Sequence, residues 1–247
     1  MDNLKYFFSY ETDIPADVGY SFFDVTHFMW MLASLILIAL IVYFYKKTKL
    51  KNRRTFMIAV AIILLICEAI RNGWIIWVGE YSLAKSLPLQ LSRILLFIES
   101  MAIITNNRYL KEFSYACGLF SIAAFLAPNI MQYPLIHIDT IRYSISHILI
   151  LSVPLMWIIG DGFKPDIRYL PKCALLLFGI AGVATAANFA FGGNYLHIHY
   201  IPEHVNITLG QPWYALALLG VVLGFWVLTY LPWIIYQKVQ SKRMVEK

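Results

Sequence analysis

The sequence predicts an all-α fold, a polytopic membrane bundle of about seven transmembrane helices with the N-terminus outside and the C-terminus cytoplasmic. Three observations carry that expectation. The 247 residues are 60 % hydrophobic and 16 % aromatic but only 14 % charged, where a globular chain has about a quarter of its residues charged. Seven apolar runs approach the roughly 20 residues needed to cross a hydrocarbon core about 30 Å thick. Lysine and arginine fall unevenly between alternate loops. This composition excludes a water-soluble enzyme, a nucleic-acid-binding domain and a disordered tail. A net charge of +6 and a pI near 9.1 would otherwise invite nucleic acid as a partner. The expected surroundings are instead membrane lipids, in the cell membrane.

The predicted spans are His27–Tyr45, Arg54–Gly79, Ser86–Thr105, Glu112–Met131, Asp139–Gly160, Tyr169–Gly193 and Pro212–Tyr236. They form one seven-helix domain over residues 1–247, with 1–26 as an exterior segment and 237–247 as a basic cytoplasmic tail. Strand-period alternation is absent, so a barrel is not expected. Fifteen lysines and arginines lie in the tail and the loops assigned to the cytoplasm, from Lys46–Arg54 through Arg108, Lys111, Lys164, Arg168 and Lys172. Only Lys5, Lys85 and Arg142 are assigned to the other side. The acidic, aromatic start is unlike a removable signal peptide, which has a basic start followed by an apolar stretch. Cys67, Cys117 and Cys173 lie in or beside spans without CxxC spacing and are expected to be buried free thiols.

Four ionisable residues remain well inside the spans: Glu68 and Arg71 in the second, Arg93 and Glu99 in the third. Each costs at least ~2.5 kcal/mol if it faces lipid, so all four should face the bundle interior or a wet cavity. Because these two spans run in opposite directions, Arg71, Asn72, Gln90, Ser92 and Arg93 fall in the outer half, with Glu99 deeper. His147 in the fifth span and Asn188 and Asn194 at the end of the sixth lie at similar depth. Trp213 and Tyr214 at the start of the seventh are candidate walls. Arg71, Arg93 and His147 outnumber the nearby acids, and that surplus favours an anionic group such as phosphate or carboxylate. The plainer alternative is that Glu68–Arg71 and Arg93–Glu99 are ion pairs that only hold helices together.

Weaker signals accompany these. His197, His199 and His204 beside Glu203 offer metal-ligand types, but histidines of an outer loop are more often solvated, so neither metal nor cofactor is expected. Trp30, Trp74, Trp77, Tyr200, Trp213 and Tyr214 sit where an interfacial aromatic belt belongs. The seventh span has no lysine, which excludes a retinal Schiff base there.

The stretch Leu87-Pro88-Leu89-Gln90-Leu91-Ser92 resembles the Leu-Pro-Leu-His-Leu-Cys start of the third helix in the YwaF-like bacterial integral membrane proteins. Asp24-Val25-Thr26-His27, Ser146-His147, Asn188 with Gly193-Asn194-Tyr195, and Gln211-Pro212-Trp213-Tyr214 resemble further stretches of that family. More distantly, the family resembles animal multi-pass acyltransferases that remodel phospholipids, in which a third-helix Pro-Cys-His and a fifth-helix histidine are the catalytic groups. Here the corresponding residues are Pro88-Leu89-Gln90, so a thioester mechanism has no thiolate. Ser92 with His147 as base is the substitute the resemblance leaves open.

Three functions follow as expectations. The first is an outward-facing polar pocket that binds an anionic small molecule or lipid headgroup, for sensing, presentation or transport. It would use Glu68, Arg71, Asn72, Gln90, Arg93, Glu99, His147, Asn188, Asn194, Trp213 and Tyr214. The second is a lipid acyltransferase or hydrolase using Ser92 and His147. The third is a structural subunit of a membrane complex, with another membrane protein as partner.

Overall fold

The computed structural model describes residues 2–201 and 209–245, and every regular element among them is helical. Helix α1, Val25–Lys47, begins where Asp24 accepts the His27 N–H at 2.7 Å, an N-cap that satisfies one of the helix's unpaired donors. Helix α2, Leu50–Trp77, follows after a two-residue turn. Helix α3 covers only Leu91–Thr105. Pro88 sits in the non-helical stretch ahead of it, and the left-handed Asn106 (φ 54°) closes it.

The expected fourth span is broken in two. Helix α4 runs Arg108–Gly118 and α5 only Ser121–Leu126. Ala127 is forced out of helical geometry (φ −138°, ψ 68°) by the proline that follows it. Two carbonyls of α5 are taken up by side chains from other helices. His27 Nε2 donates to Phe125 O at 2.9 Å, and the Tyr143 hydroxyl donates to Ala124 O at 3.2 Å. Buried main-chain groups of an interrupted helix need such partners when no water is at hand.

Helix α6, Ile138–Leu155, continues into a π-helical turn over Met156–Gly160. Helix α7 is Leu170–Phe191, ended by the left-handed Gly192, and α8 is Trp213–Val245. Five of these segments are long and apolar enough to cross a membrane: Val25–Lys47, Leu50–Trp77, Ile138–Gly160, Ile167–Phe191 and Trp213–Val239. Cys67, Cys117 and Cys173 are buried and not joined in disulfides.

The chain forms two compact units: Met1–Ser82 with Leu91–Phe163, and Leu83–Gln90 with Lys164–Lys247. In the first, α2 packs on α3 and α6, α3 on α4, and α1 on α6. The segment before α1 is pinned to it: Tyr20 N–H donates to Met131 O at 2.9 Å, and a Cβ on Gly19 would stand 2.1 Å from that same oxygen. Trp30 and Trp74 are not belt residues. Both are buried, with Trp30 Nε1 donating to Ser144 Oγ at 2.8 Å and Trp74 Nε1 to Phe8 O at 2.9 Å. Trp77, Tyr200 and Trp213 are exposed, as a belt requires.

Candidate functional site

In the first unit the buried charges pair differently from the spacing along each helix. Glu68 of α2 is met by Arg93 of α3, whose Nε lies 3.1 and 3.0 Å from the two carboxylate oxygens and whose Nη2 also donates to Oε1. Asn72, one turn beyond Glu68, donates to the same carboxylate at 2.8 Å and accepts from Arg93 Nη2 at 3.0 Å. Neither expected ion pair, Glu68–Arg71 or Arg93–Glu99, forms. The antiparallel helices set Arg93 level with Glu68 and Asn72, and Glu99 is six residues further along α3, about 9 Å at the helical rise.

That exchange leaves two groups over. Arg71 Nη1 is fully buried and has no hydrogen-bond partner. Its guanidinium feels the charges of Arg93, Arg142, Asp139 and Glu68. Asp139 is already held by Arg142, with Nε and Nη2 each 2.7 Å from Oδ1. Three guanidiniums therefore face two carboxylates, and both carboxylates are engaged. The starts of α3 and α6 add the partial positive charge of helix N-termini. Sequence reasoning assigned Arg142 to the exterior side and Asp139 to the start of the fifth span without pairing them; their three-residue spacing at a helix start was the available signal.

Glu99 is the other remainder. It is wholly buried and neither oxygen has a partner. A Cβ on Gly118 would stand 3.1 Å from Glu99 Oε1 and 3.4 Å from Ile150 O, and Pro154 supplies no N–H to that carbonyl. An unpaired carboxylate in such surroundings is far costlier than the neutral acid, so the neutral acid is the form this position accommodates.

His147 is buried, with Nδ1 2.9 Å from Tyr143 O and its ring 3.9 Å from the Tyr143 ring. Donation from Nδ1 leaves Nε2 as the nitrogen with the lone pair, and the hydrogen bonds of His147 among the described residues are made at Nδ1. Ser92 is half-buried, and no hydrogen bond joins it to His147.

The remaining predicted residues belong to the second unit, where all but Trp213 serve the backbone. Asn188 accepts from Tyr195 N–H at 2.6 Å and donates to Tyr195 O at 3.1 Å. Gln90 Oε1 accepts from Leu196 N–H at 3.0 Å, and Asn194 Oδ1 accepts from His199 and Tyr200 N–H at 3.0 and 3.3 Å. These amides hold a turn in which Leu196 and His197 have φ of 56° and 52°, a left-handed geometry that needs surrounding support. Gly193 lies so close to Ala84 O that a Cβ would stand at 2.5 Å. The Tyr214 hydroxyl donates to His197 O at 2.6 Å, and Trp213 is exposed. His204 and Glu203 lie outside the described residues. Among the described ones, no group of three His, Cys, Asp or Glu is placed to hold a metal ion.

No curated protein and no solved structure matches this chain. A protein-family model does, over residues 22–230, from just before the N-cap of α1 well into α8. The match spans most of the sequence and both compact units, and the chain belongs to the TMEM164 family, a family of membrane proteins.

Proposed function

We propose that this multi-pass membrane protein binds an anionic group, the headgroup of a lipid or a small molecule, at the outer end of its first unit. In this reading seven spans cross the cell membrane with the N-terminus outside, the short α3 and the broken α4–α5 among them. The observation that carries the proposal is Arg71 Nη1, a buried guanidinium nitrogen without an acceptor. A guanidinium has five donors and no acceptor, so only an oxygen-rich partner relieves it, and phosphate or carboxylate does so bidentately. Arg142 and the helix starts add to the local positive potential. Glu68, Asn72 and Arg93 form the rigid wall.

The test is retention of phosphatidylglycerol against phosphatidylcholine by the purified full-length protein, read by native mass spectrometry. Arg71→Gln should abolish the preference and Arg71→Lys should keep part of it. An unchanged preference in Arg71→Gln would refute the site.

A second reading is lipid acyl transfer or hydrolysis, carried by the likeness to YwaF-like proteins and the remodelling acyltransferases. One observation favours it: His147 Nδ1 donates to Tyr143 O, which leaves Nε2 as the unprotonated nitrogen, the tautomer a general base at Nε2 requires. Ser92 is not yet within its reach, and loss of turnover in Ser92→Ala with retained lipid binding is the result that would support it.

A further inference from the structure

The opposite end of the first unit holds a second basic site, about 17 residues and some 26 Å of helix from Arg71 along α2. A cavity of about 250 Å³ opens there between the α1–α2 turn, the end of α3, the start of α4 and the π-helical turn after α6. Its charged walls are Arg53, Arg54, Lys111 and Asp161, with Tyr45 and Trp157 as aromatic sides.

The charges do not cancel. Asp161 is spent: Arg53 Nη1 donates to Oδ1 at 3.0 Å and the Tyr45 hydroxyl to Oδ2 at 2.7 Å. Arg54 is anchored through Nη1 to Ile103 O at 3.1 Å and through Nη2 to Ile104 O at 2.8 Å. Lys111 Nζ bonds Asn106 Oδ1 at 2.6 Å and lies 5.2 Å from the Trp157 ring centre. Those partners are neutral, so they fix the two cations in place, and with Asp161 the one acid among the lining residues, against three cations, positive charge is left in excess. Neither α2 nor α4 has an acid in its first turn, and both carry basic residues there, the unfavourable sign for a helix N-terminus. A bias of positive loop charge requires these residues on this side of the membrane. It does not require them around a hollow.

We infer that this cavity is a second anion site, which takes a phosphate-bearing group between Arg54 and Lys111, with Trp157 as a wall. The volume lies just under the range of about 300–1,000 Å³ typical of small-molecule pockets, which suits a compact headgroup or a free phosphate. Two open N–H groups of Lys111 and the unspent donors of Arg54 supply the contacts. The Arg53–Asp161–Tyr45 lock ties the α1–α2 turn to the π-helical turn and so fixes one side of the cavity.

The test uses the purified full-length protein, titrated with short-chain phosphatidylglycerol and, separately, with inorganic phosphate, with phosphatidylcholine as the control. Binding is followed by native mass spectrometry. Lys111→Gln should weaken the anionic ligand about tenfold, as expected for loss of one partner in a partly desolvated charge contact. Lys111→Arg should hold affinity within about twofold, and the exposed Lys49→Gln should change it little. Binding of phosphatidylglycerol alone identifies a lipid headgroup as the source. Phosphate binding that also falls in Lys111→Gln identifies a free anion. Equal losses in Lys111→Gln and Lys49→Gln, or no loss in Lys111→Gln, overturn the site. Arg71→Gln must leave this binding component intact, so failure here is separable from failure of the outer site.

Discussion

The interiors of the two units use polar side chains in opposite ways. In the second unit, Gln90, Asn188 and Asn194 close onto the main chain of one turn. In the first, Glu68, Arg93, Asp139 and Arg142 close onto one another, and Arg71 Nη1 is left without a partner. The difference follows from donor and acceptor inventory. An amide side chain brings both a donor and an acceptor, so a bare stretch of backbone satisfies it completely. A guanidinium brings donors only. Where such groups gather, any excess over the carboxylates must be met from outside the protein or go unmet, and among the described residues this excess is seen in the first unit.

The strongest way to break this contrast is Arg93→Ala, which strands the Glu68 carboxylate and should cost about 3–5 kcal/mol. Unfolding in mixed micelles measures it. Glu68→Leu combined with Arg93→Met should recover most of that loss, because two well-packed apolar side chains replace a matched pair. A cost below about 1 kcal/mol for Arg93→Ala would mean the pair is not the clamp between α2 and α3.

Asn188→Ala probes the second unit and should cost about 1–3 kcal/mol, the penalty for leaving the buried Tyr195 N–H and C=O unsatisfied. Amide exchange should rise first at Tyr195 and Leu196. Unchanged exchange there would show that Tyr195 is held by its hydroxyl, which donates to Leu83 O at 2.7 Å and accepts from Leu87 N–H at 2.9 Å.

Much of this arrangement was legible from sequence, and its failures have physical causes. Hydropathy and length found α1, α2, α6, α7 and α8, because crossing lipid imposes a minimum apolar length on each. The break inside the fourth span was not legible, since Ser121–Leu126 is apolar enough to continue α4 while Pro128 ends it and distant side chains serve its carbonyls. The cost of charge inside an apolar span flagged Glu68, Arg71, Arg93 and Glu99 as interior residues, and spacing along single helices suggested how they pair. It could not set the depth of one helix against another to within a turn, and the pairing Glu68–Arg93 depends on that offset. Asn188 and Asn194 share a depth with the arginines in the sequence, yet their amides are consumed by a turn that only the backbone trace reveals.

Arg71→Met sharpens the contrast from the other side. If the first unit carries an uncompensated cation, its replacement by an apolar side chain should be neutral or stabilise by about 1 kcal/mol in lipid-free detergent. The same variant should lose stabilisation by phosphatidylglycerol. A loss of several kcal/mol in detergent alone would mean that Arg71 is already compensated within the protein, and the outer site would fall with it.

The smallest expected effect concerns His137, which caps α6 at the same end of the first unit. Its Nδ1 accepts from Asp139 N–H at 3.1 Å, its Nε2 lies 3.0 Å from Ser9 O, and its ring stacks 4.2 Å from that of Tyr133. Burial holds this imidazole below its usual range, and the Ser9 carbonyl and Asp139 only partly oppose the shift. Because the folded form takes up the proton later than the unfolded chain, the contribution is fully present above about pH 6.5 and declines as pH falls through that value. The proton arrives on Nδ1, the atom that caps the helix, so the first turn of α6 is the part that loosens. Exchange at the Asp139 amide, corrected for intrinsic rates, should therefore accelerate between pH 7 and 5, roughly the window in which an ordinary histidine titrates. His137→Asn keeps a capping oxygen without a titrating ring and should remove the pH dependence. A slope that survives in that variant would move the sensitivity from His137 to another group at the start of α6.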